Sequence, residues 1–563
     1  MSQEHLGLMA AILSEKGVTH AVVSPGSRNA PAIIALSQSK KIKLLSIADE
    51  RSAGFYALGM AQQLRRPVAL LCTSGSAALN YAPAVVEAYY QKVPLLVITA
   101  DRPEEWIDQG DGQTIRQRDI YANYIRKSFH LPHAVAAPEN LWQFSRQLNE
   151  AIDRTLFPAP GPVHVNLPLR EPLYDIRPFD LSKMPRTIRL LPVETLIPQE
   201  ELLRLADIWN KAGSKLILAG QMTPGHKLET LLSRFAEDPS VAILTETTTN
   251  LNLPGCIRCI DRTIEGISDK LIAGFTPDIL LTFGGAVVSK KIKSLLRKMQ
   301  PAQHWHINPD TEDFHLDTYL SLTLTIPAGP ETFFRQLAPH LQTTESNYRA
   351  LWAERDKAHR ERHHTYLASA PFSDFRVFEL LFRHIPRTTC LHLGNSTPIR
   401  YAQLFDEASE FETWSNRGTS GIDGSVSTAA GAAIISEKPV TIITGDIGFL
   451  YDSNALWNTN PPAGLRIILI NNGGGNIFRF IPGPDRFEEL EPFIETAHSF
   501  SAEGIARNFG FSYFSAGDAG SLSRALQPFF GKQENNRPAL LEVFTPSKTS
   551  AQVLKDYFKF IIS

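Results

Sequence analysis

The chain has 563 residues, 43% of them hydrophobic and 20% charged, which is ordinary for a folded protein and enough for about three or four domains. Its formal net charge of −2 excludes a global field that attracts nucleic acid or an anionic membrane, so an anionic ligand must be met by locally placed Arg and Lys. The first 20 residues predict a short amphipathic helix and not a signal peptide, and no apolar run is long enough to span a bilayer. We therefore predict a cytoplasmic enzyme.

Short apolar strands alternate with helical stretches along the chain, a pattern that predicts an α/β fold. In chain order the predicted strands cover residues 20–24, 67–73, 94–100, 215–220, 278–284, 439–445 and 465–471. Continuous runs of Val, Ile and Leu are typical of parallel strands that are buried on both faces. The pattern predicts doubly wound parallel sheets.

The two ends of the sequence superpose without a gap when one is displaced by 372 positions. Matched pairs are Pro67 and Pro439, Gly59 and Gly431, Ser24 and Ser396, and Arg28 and Arg400. The identities are sparse, so a chance match is the alternative explanation. The displacement predicts that one strand-and-helix plan is used twice, with a third α/β unit at about residues 190–340 between the two copies.

Two short motifs could indicate metal sites, but each lacks further ligands nearby. Cys256 and Cys259 form a C-x-x-C motif, whereas a zinc ribbon needs a second pair, so we interpret them as incidental thiols. His359, His363 and His364 lie on a charged predicted helix without a carboxylate or cysteine cluster beside them. We interpret these histidines as part of a solvated helix face.

Polar residues and glycines follow two predicted strands of the second copy. Asp446 comes directly after the strand at 439–445, and Asn472 with three glycines follows the strand at 465–471. Strand ends that are distant in sequence can be neighbours in a parallel sheet. A carboxylate, an amide oxygen and a carbonyl oxygen at Gly474 then form the hard-oxygen set that Mg²⁺ prefers, and glycine N–H groups can face a phosphate.

The stretch GDIGFLYDSNALWNTNPPAGLRIILINNGGGNIF at 445–478 resembles the metal and diphosphate motif of thiamine diphosphate-dependent enzymes. TSGSAALN and GPVHVNLPLREPL are similar to segments of the pyrimidine-binding domain of that family. The resemblance implies thiamine diphosphate and Mg²⁺ or Mn²⁺ as cofactors. It also implies a pyrimidine-binding domain at 1–185, a central domain at 186–345 and a diphosphate-binding domain at 346–563, each an α/β domain with a doubly wound parallel sheet.

The same resemblance assigns roles to individual residues. It implies that Asp446, Asn472 and Gly474 bind the metal, and that the cofactor contacts Glu50, Asn395, Ser396, Ile422, Gly445, Asp446, Asn472, Gly474 and Gly475. Glu50 is implied to be catalytic, through a hydrogen bond to the aminopyrimidine ring that activates the cofactor. Ile422, which stands 372 positions after Glu50, is implied to bend the cofactor so that its two rings approach.

Alternatives stay open for three of these residues. Glu50 could form a surface ion pair with Arg51, and Asn395 or Ser396 could cap a helix.

Further motifs narrow the resemblance to one branch of the family, which joins 2-oxoglutarate to isochorismate in menaquinone biosynthesis. They are SPGSRNAP, DERSAGFYALG, TADRPEE, GQTIRQ, GNSTPIR and SNRGTSGIDG. Both substrates are dianions, and guanidinium groups bind carboxylates in a bidentate fork. The implied substrate-binding residues are Ser27, Arg28, Gln113, Lys290, Arg400, Arg417, Ile477 and Phe478. Arg102 and Arg116 are further candidates, for which a structural ion pair is an equal alternative.

The sequence departs from the expected patterns at three places. Gly-Asp-Ile at 445–447 replaces the Gly-Asp-Gly that is usual in the family, a change that this branch tolerates, and Gly112 stands where an asparagine is frequent. Lys290 and Lys291 stand where a Lys-Arg pair can occur, which removes bidentate recognition there.

Two other functions remain as alternatives. A carboligase or decarboxylase similar to acetolactate synthase would need a neutral substrate pocket in place of several arginines. A scaffold protein with a decayed site is disfavoured by the intact Glu50, Asp446 and Asn472. Family behaviour implies a homodimer or homotetramer with each active site between two subunits.

Overall fold

A computed structural model describes residues 4–133, 137–176, 186–310, 312, 315–458, 461–481, 483–533 and 536–563. These residues form parallel sheets with interleaved helices, which confirms the predicted α/β class. Residue 185, at the predicted end of the first domain, lies outside the described residues, and the domain limits stay predictions. Within the described ranges, every helix falls short in length or in apolar character of what a membrane crossing requires.

The first sheet lies between residues 20 and 168. Its strands are β1 (His20–Val23), β2 (Lys43–Ser46), β3 (Val68–Cys72), β4 (Leu95–Asp101), β5 (Ser128–His130) and β6 (Val163–Pro168). The helices of this stretch are α1 (Glu4–Glu15), α2 (Ala30–Gln38), α3 (Glu50–Leu64), α4 (Ser76–Asn80), α5 (Ala82–Gln91) and α6 (Pro138–Arg154). The strand order is β2-β1-β3-β4-β6-β5. The predicted N-terminal helix is confirmed as α1.

The second sheet lies between residues 215 and 326. Its strands are β7 (Lys215–Ala219), β8 (Val241–Leu244), β9 (Ile279–Phe283), β10 (Gln303–Ile307) and β11 (Leu324–Ile326). The helices of this stretch are α7 (Gln199–Lys211), α8 (Leu228–Ala236), α9 (Ile260–Ile264), α10 (Ile272–Phe275), α11 (Lys290–Met299) and α12 (Pro330–Leu337). The strand order is β11-β10-β9-β7-β8.

The third sheet lies between residues 390 and 544, and its helices begin earlier. The helices are α13 (Tyr348–Ser369), α14 (Asp374–His384), α15 (Thr397–Ala402), α16 (Ser425–Ile435), α17 (Asp446–Tyr451), α18 (Glu503–Asn508), α19 (Ala519–Phe530) and α20 (Ser547–Ile562). The strands are β12 (Cys390–Leu393), β13 (Glu412–Trp414), β14 (Val440–Gly445), β15 (Leu465–Asn471), β16 (Ser512–Ala516) and β17 (Ala539–Phe544). The strand order is β13-β12-β14-β15-β17-β16.

The order of strands confirms the predicted duplication. When the strands of each of these two sheets are counted along the chain, the first sheet has the order second, first, third, fourth, sixth, fifth, and so does the third sheet. Val440, the first residue of β14, stands 372 positions after Val68, the first residue of β3. The central strands β3, β4 and β15 are mostly apolar and are buried except at Arg466, as expected for parallel strands covered on both faces.

The described chain forms two compact units. The first comprises Met1–Pro192, Asn416–Val440 and Tyr451–Leu465, and the second comprises Val193–Ser415, Thr441–Leu450 and Arg466–Ser563. The first unit therefore contains the first sheet together with α16 from the second copy.

Helices α3 and α16 cross in the first unit at a pair of glycines. A Cβ atom on Gly59 would lie 2.0 Å from the backbone oxygen of Thr428, and one on Gly431 would lie 2.2 Å from that of Tyr56. Gly431 and Thr428 stand 372 positions after Gly59 and Tyr56, so the contact is reciprocal. Only glycine at both positions permits the two helix backbones to approach this closely.

The interpretation of the histidines of α13 as a solvated face is wrong for two of the three. His359 and His363 are buried, whereas His364 is exposed. The Nδ1 atom of His359 lies 2.7 Å from the backbone oxygen of Arg262, and Nδ1 of His363 lies 2.9 Å from the hydroxyl of Tyr557. Burial lowers the pKa of His363 to about 3, so this ring is neutral and belongs to the core.

Candidate active site

The predicted metal residues come together in the second unit, at the carboxyl ends of adjacent strands. Asp446 begins α17 directly after β14, and β15, the neighbour of β14 in the sheet, ends at Asn471. One carboxylate oxygen of Asp446 accepts hydrogen bonds from the N–H groups of Gly473 and Gly474, each at 2.9 Å, and the other accepts from Ile447. The glycine-rich loop therefore folds around the carboxylate.

Asn472 is oriented by a buried carboxylate that the sequence analysis did not identify. Its Nδ2 donates to Oδ2 of Asp374 at 3.0 Å, and Asp374 also accepts hydrogen bonds from the hydroxyls of Thr545 and Ser550. The Oδ1 atom of Asn472 is buried and has no hydrogen-bond partner within the described part of the chain. Asp374 thus fixes the amide with its oxygen available to a ligand.

These residues fit a hard divalent cation. A buried oxygen without a partner is costly unless a ligand satisfies it, and the Asp446 carboxylate lies on the same loop. Burial raises the pKa of Asp446 above its usual value, against the effect of its backbone hydrogen bonds, and a cation would favour the ionised form. The residues that the structure describes hold no metal-binding group of three or more His, Cys, Asp and Glu side chains, so a cation here needs neutral oxygens, phosphate or water as well.

The glycine-rich loop is covered by residues 495–500, which we call the strap. Gly475 donates its N–H to the oxygen of Glu495, the N–H of His498 donates to the oxygen of Gly473 at 3.0 Å, and the Asn471 side chain donates to the oxygen of Phe500 at 2.8 Å. The strap therefore runs antiparallel to the loop. It explains two glycines, since a Cβ on Gly474 or Gly475 would lie 2.9 or 3.1 Å from the Glu495 oxygen.

The strap also brings His498 to the carboxylate of Asp446, and the sequence analysis missed this residue. The Nε2 atom lies 3.3 Å from Oδ2 of Asp446, and both side chains are 5% exposed. No short motif marks a histidine this far along the chain from Asp446.

The carboxyl end of β12 carries Asn395 and Ser396. Ser396 occupies the N-cap position of α15, with φ at +72°, and its side chain makes no capping hydrogen bond. A positive φ in a residue other than glycine is strained, and such strain is concentrated at functional sites. The cofactor contacts of both residues stay predictions.

Lys290 and Arg400 line one pocket of about 330 Å³ in the second unit. Its other lining residues are Asp261, Val288, Lys291, Tyr401, Leu404, Phe480, Ile481, Leu554, Lys555 and Phe558. Arg400 donates to the backbone oxygen of Ser396 at 2.5 Å, and burial lowers the pKa of its guanidinium, partly offset by Asp261. The pocket combines several cations with apolar walls, which suits a ring or chain bearing carboxylates.

Part of the apolar wall of this pocket follows the glycine-rich loop in sequence. Phe480 and Ile481 line it, whereas Ile477 and Phe478 lie on the preceding 3₁₀ turn, Asn476–Arg479, where both are half-buried. The roles of Ile477 and Phe478 stay predictions.

The carboxylates of the buried Glu246 and the half-buried Asp261 fix the start of α11 and thereby place Lys290, its first residue. Glu246 accepts hydrogen bonds from the N–H groups of Val288 at 2.6 Å and Ser289 at 2.8 Å, and Ser289 also donates to Asp261. The hydroxyl of Ser289 caps the helix by accepting from the Ile292 N–H.

The neighbouring Lys291 is paired elsewhere. It forms an ion pair with Glu265 and lies 3.2 Å from the centroid of the Phe558 ring. The ammonium group of Lys291, which stands where the branch can have an arginine, therefore contacts other residues of the protein.

Glu50 lies in the first unit, as the first residue of α3. Asp49 caps the helix through the Ser52 N–H at 2.9 Å and accepts from Nδ2 of Asn454 at 2.6 Å. Arg51 donates to the oxygen of Tyr451 at 2.7 Å, with its guanidinium 4.6 Å from the centre of that ring. These contacts hold the first turn of α3. They also direct the Arg51 guanidinium to Tyr451, and not to the ion pair with Glu50 that was the alternative.

Arg28 and Arg102, in the first unit, are held by carbonyl and carboxylate oxygens. Arg28 is buried and donates to the oxygen of Leu169 at 3.0 Å and to Glu171 at 3.3 Å. Burial lowers its pKa, and the charge of Arg102 lowers it further. Arg102 donates to the oxygen of Gly112 at 3.0 Å, so the backbone at this departure still offers a polar contact.

Ion pairs occur at both of the further arginine candidates. Arg102 pairs with Asp111 at 3.1 Å, and Arg116 pairs with Asp108 at 2.6 Å on the surface. The alternative to substrate binding, an ion pair within the protein, therefore applies most directly to Arg116, whose side chain is 83% exposed at the surface.

Gln113 and Ser27 lie on loops of the first unit. Gln113 has a φ of +54°, and a Cβ on Gly75 would lie 3.2 Å from its backbone. Ser27 is exposed, and it follows Gly26, whose Cβ would lie 2.4 Å from the side chain of Thr73. Their substrate roles stay predictions.

Arg417 and Ile422 lie on the segment before α16. Its backbone is fixed by the buried Glu87, whose carboxylate accepts from the N–H groups of Gly418 and Thr419 at 2.7 Å each. Arg417 is buried, and Ile422 is 36% exposed, as an apolar contact for a ligand requires. The roles of Arg417 and Ile422 stay predictions.

Comparison with known proteins agrees with the resemblance that the sequence motifs carry. The N-terminal TPP binding domain of thiamine pyrophosphate enzymes matches residues 6–120, and the C-terminal TPP binding domain matches residues 394–543. Proteins named 2-succinyl-5-enolpyruvyl-6-hydroxy-3-cyclohexene-1-carboxylate synthase are similar over nearly the whole chain. The protein of Flavobacterium johnsoniae is 44% identical, covering 97% of each chain, and that of Christiangramia forsetii is 42% identical, covering 99% of this chain and 98% of its own. That of Bacteroides thetaiotaomicron is 38% identical, covering 98% and 97%. The chain belongs to the 2-succinyl-5-enolpyruvyl-6-hydroxy-3-cyclohexene-1-carboxylate synthase family of thiamine pyrophosphate enzymes.

Proposed function

We propose that this enzyme decarboxylates 2-oxoglutarate and joins the remaining four-carbon unit to isochorismate, as a C–C bond-forming transferase of menaquinone biosynthesis. The bond between the carboxylate and the keto carbon of 2-oxoglutarate breaks and CO₂ leaves. The keto carbon then forms a new bond to the isochorismate ring in a 1,4-addition, with uptake of one proton. No external oxidant or reductant is required.

The observation that carries the proposal is the cationic pocket around Lys290 and Arg400. The substrate of an acetolactate-synthase-like enzyme, a monocarboxylate such as pyruvate, gives no reason for two or more cations beside an apolar wall. A dicarboxylate does, because charge-assisted hydrogen bonds to a partly desolvated guanidinium are strong. The names of the similar proteins support the same reaction.

The metal and diphosphate of the cofactor fit the loop around Asp446. Asp446 and the Oδ1 atom of Asn472 would bind Mg²⁺ or Mn²⁺, with a backbone oxygen of Gly474 as a third ligand. When bound, thiamine diphosphate supplies the nucleophilic carbon and accepts the electrons released on decarboxylation. Asp374 keeps the amide oxygen of Asn472 turned to the site, since it accepts from Nδ2 at 3.0 Å.

Glu50 would hold a proton at its carboxyl oxygen against the pyrimidine ring of the cofactor. The cap at Asp49 and the contacts of Arg51 fix the first turn of α3 and with it the backbone of Glu50. Arg28, Arg400 and Arg417, with Ser27, Gln113 and Lys290, would receive substrate carboxylates. Ile422 would form the apolar support beneath the cofactor.

We also propose that the enzyme is a homodimer or homotetramer with active sites between subunits. The basis is the family resemblance of the sequence motifs. Light scattering coupled to size-exclusion chromatography measures the oligomeric state, and a monomer that turns over substrate would contradict the proposal.

The test mixes the purified protein with thiamine diphosphate, Mg²⁺, 2-oxoglutarate and isochorismate, and follows product by mass spectrometry and CO₂ release. We expect product formation that needs both substrates, with pyruvate a poor replacement for 2-oxoglutarate. Equal turnover of pyruvate would favour the acetolactate-synthase-like alternative. Cofactor binding without any turnover of either acid would contradict an enzyme of this branch.

A further inference from the structure

The Nε2 atom of His498 is a buried polar atom that the proposed mechanism leaves unused. It has no hydrogen-bond partner among the residues that the structure describes, although Oδ2 of Asp446 lies 3.3 Å away. The side chain is 5% exposed, so water does not readily satisfy this nitrogen. Such an atom beside a predicted metal ligand calls for a partner from the site itself.

The tautomer of His498 is set by its neighbour in the strap. The backbone N–H of Phe500 donates to Nδ1 of His498 at 3.1 Å. In a neutral imidazole one nitrogen accepts and the other carries the proton, so the proton lies on Nε2. Binding a cation through Nε2 would require the proton on Nδ1, where it would face the Phe500 N–H directly. The contact therefore makes Nε2 a donor and excludes it as a metal ligand.

The backbone and the ring of His498 are both held in place. The His498 N–H is bonded to the oxygen of Gly473, and the imidazole stacks on the Phe500 ring with centroids 5.5 Å apart and an interplanar angle of 20°. Glu495, at the start of the strap, is paired with Arg479 and accepts from the hydroxyl of Ser547 at 3.1 Å. The direction of Nε2 is thus fixed before any ligand arrives.

We propose that His498 is a positioning residue of the metal and diphosphate site, whose Nε2–H donates to the oxygen of Asp446 or to an anionic diphosphate oxygen beside it. This inference rests on the proposed function, because it takes the ligand at Asp446 to be a metal-bound diphosphate. A donor aimed at a ligating carboxylate fixes its orientation, and loss of such outer contacts typically costs about 10- to 100-fold in metal affinity.

Three substitutions separate the donor from the shape of the ring. His498→Gln carries an amide that can reach the position of Nε2, His498→Asn reaches only the position of Nδ1, and His498→Phe keeps a ring without either nitrogen. We expect His498→Phe and His498→Asn to weaken metal binding about tenfold and His498→Gln to stay within about threefold of the original protein.

The readout is metal affinity and not turnover. Free Mn²⁺ is measured by electron paramagnetic resonance as it is titrated into full-length protein with saturating thiamine diphosphate, and thermal unfolding without metal checks each fold. Unchanged Mn²⁺ affinity in both His498→Phe and His498→Asn would overturn the inference, as would equal losses in all three variants. If His498→Phe fails to fold, the comparison of His498→Asn with His498→Gln decides. Failure of the unaltered protein to bind Mn²⁺ with the cofactor would instead contradict the proposed function.

Discussion

The first and third sheets share one strand order but carry different chemistry at their strand ends. In the first copy the helix after β2 begins with Glu50, an acid, and 372 positions later the chain carries Ile422, an apolar residue. In the second copy the residue directly after β14 is Asp446, the first residue of α17, whereas the matched position beyond β3 is Ser74. Buried strands tolerate few residue types, but the turns that follow them can change without altering the fold. The comparison separates positions that the shared fold constrains from strand-end positions that are free to carry the proposed chemistry.

The largest effect should come from Glu50→Gln. We predict a loss of at least about 100-fold in kcat, because an amide cannot exchange a proton with the cofactor ring and general acid–base catalysis contributes at least this much. Cofactor affinity should stay within a few-fold, since glutamine has the same shape and the helix cap at Asp49 remains. Steady-state kinetics and calorimetric titration with thiamine diphosphate measure the two quantities.

The matched position gives the control for this variant. Ile422→Val removes one methylene and keeps an apolar side chain, so kcat should change only a few-fold. If kcat of the Glu50→Gln enzyme were unaltered, Glu50 would not be catalytic. The proposed difference between Glu50 and the matched Ile422 would then have no support.

The second effect compares Arg28 with Arg400, which occupy matched positions in the two copies. We predict that alanine at either position lowers kcat/KM about 10- to 100-fold, because a hydrogen bond to a charged group contributes about 1.5–3 kcal/mol. Arg28 is already bonded to Leu169 and Glu171, whereas Arg400 is bonded to the oxygen of Ser396. We therefore expect the larger loss at Arg400, measured with each substrate varied separately.

Lysine at each position retains the charge without the planar fork. Partial recovery in Arg400→Lys would indicate charge attraction alone, and none would indicate bidentate binding. An unchanged kcat/KM for Arg400→Ala with both substrates would take this arginine out of the site.

The third effect tests the crossing of α3 and α16. Gly59→Ala and Gly431→Ala each place a Cβ at 2.0 or 2.2 Å from a backbone oxygen, so the helices must separate. We predict that each lowers the free energy of unfolding by about 1–3 kcal/mol, as overpacking does. Urea denaturation followed by circular dichroism gives the values.

Gly504→Ala in α18 is the matched control, because nothing lies within 4 Å of its added Cβ. It should be neutral or stabilise by up to about 1 kcal/mol, the helix propensity difference. If all three variants were equally stable, the reciprocal contact would be looser than the structure shows. If only one of the two variants, Gly59→Ala or Gly431→Ala, lowered the free energy of unfolding, the two copies would not pack symmetrically.

The strand pattern and the repeat could be predicted because they depend on local sequence. The predicted strand at 465–471 coincides with β15, and the displacement of 372 positions anticipated the shared strand order. Asp446 and Asn472 could be placed at neighbouring strand ends for the same reason.

Other parts of the site depend on contacts between distant segments. Asp374 lies 98 positions before Asn472, and nothing in its own surroundings indicates that it orients this amide. His498 reaches the site only because the strap folds back along the loop. The charged sequence of α13 likewise concealed two buried histidines, since the helix packs on more than one side.

The fourth effect concerns a carboxyl group that the second copy has and the first lacks. Asp452 stands 372 positions after Asn80 and is fully buried, where it accepts two hydrogen bonds from Ser427, each at 2.7 Å. Burial raises the pKa of Asp452 to about 7, against the effect of these hydrogen bonds. The folded protein therefore holds this proton more tightly than the unfolded chain does.

The sign of the pH dependence follows from that difference. The contribution of Asp452 to stability is complete below about pH 4, where the unfolded chain also binds the proton, and it is lost as pH rises towards 7, by at most about 1.4 kcal/mol per pH unit. Asp452→Asn gives the second copy the amide of the first, so its free energy of unfolding should fall less steeply than that of the original protein between pH 5 and 7. Urea denaturation at several pH values measures both slopes. Parallel slopes would mean that Asp452 ionises in the folded protein near its usual pKa, and that the second copy stabilises a buried carboxylate where the first copy needs only an amide.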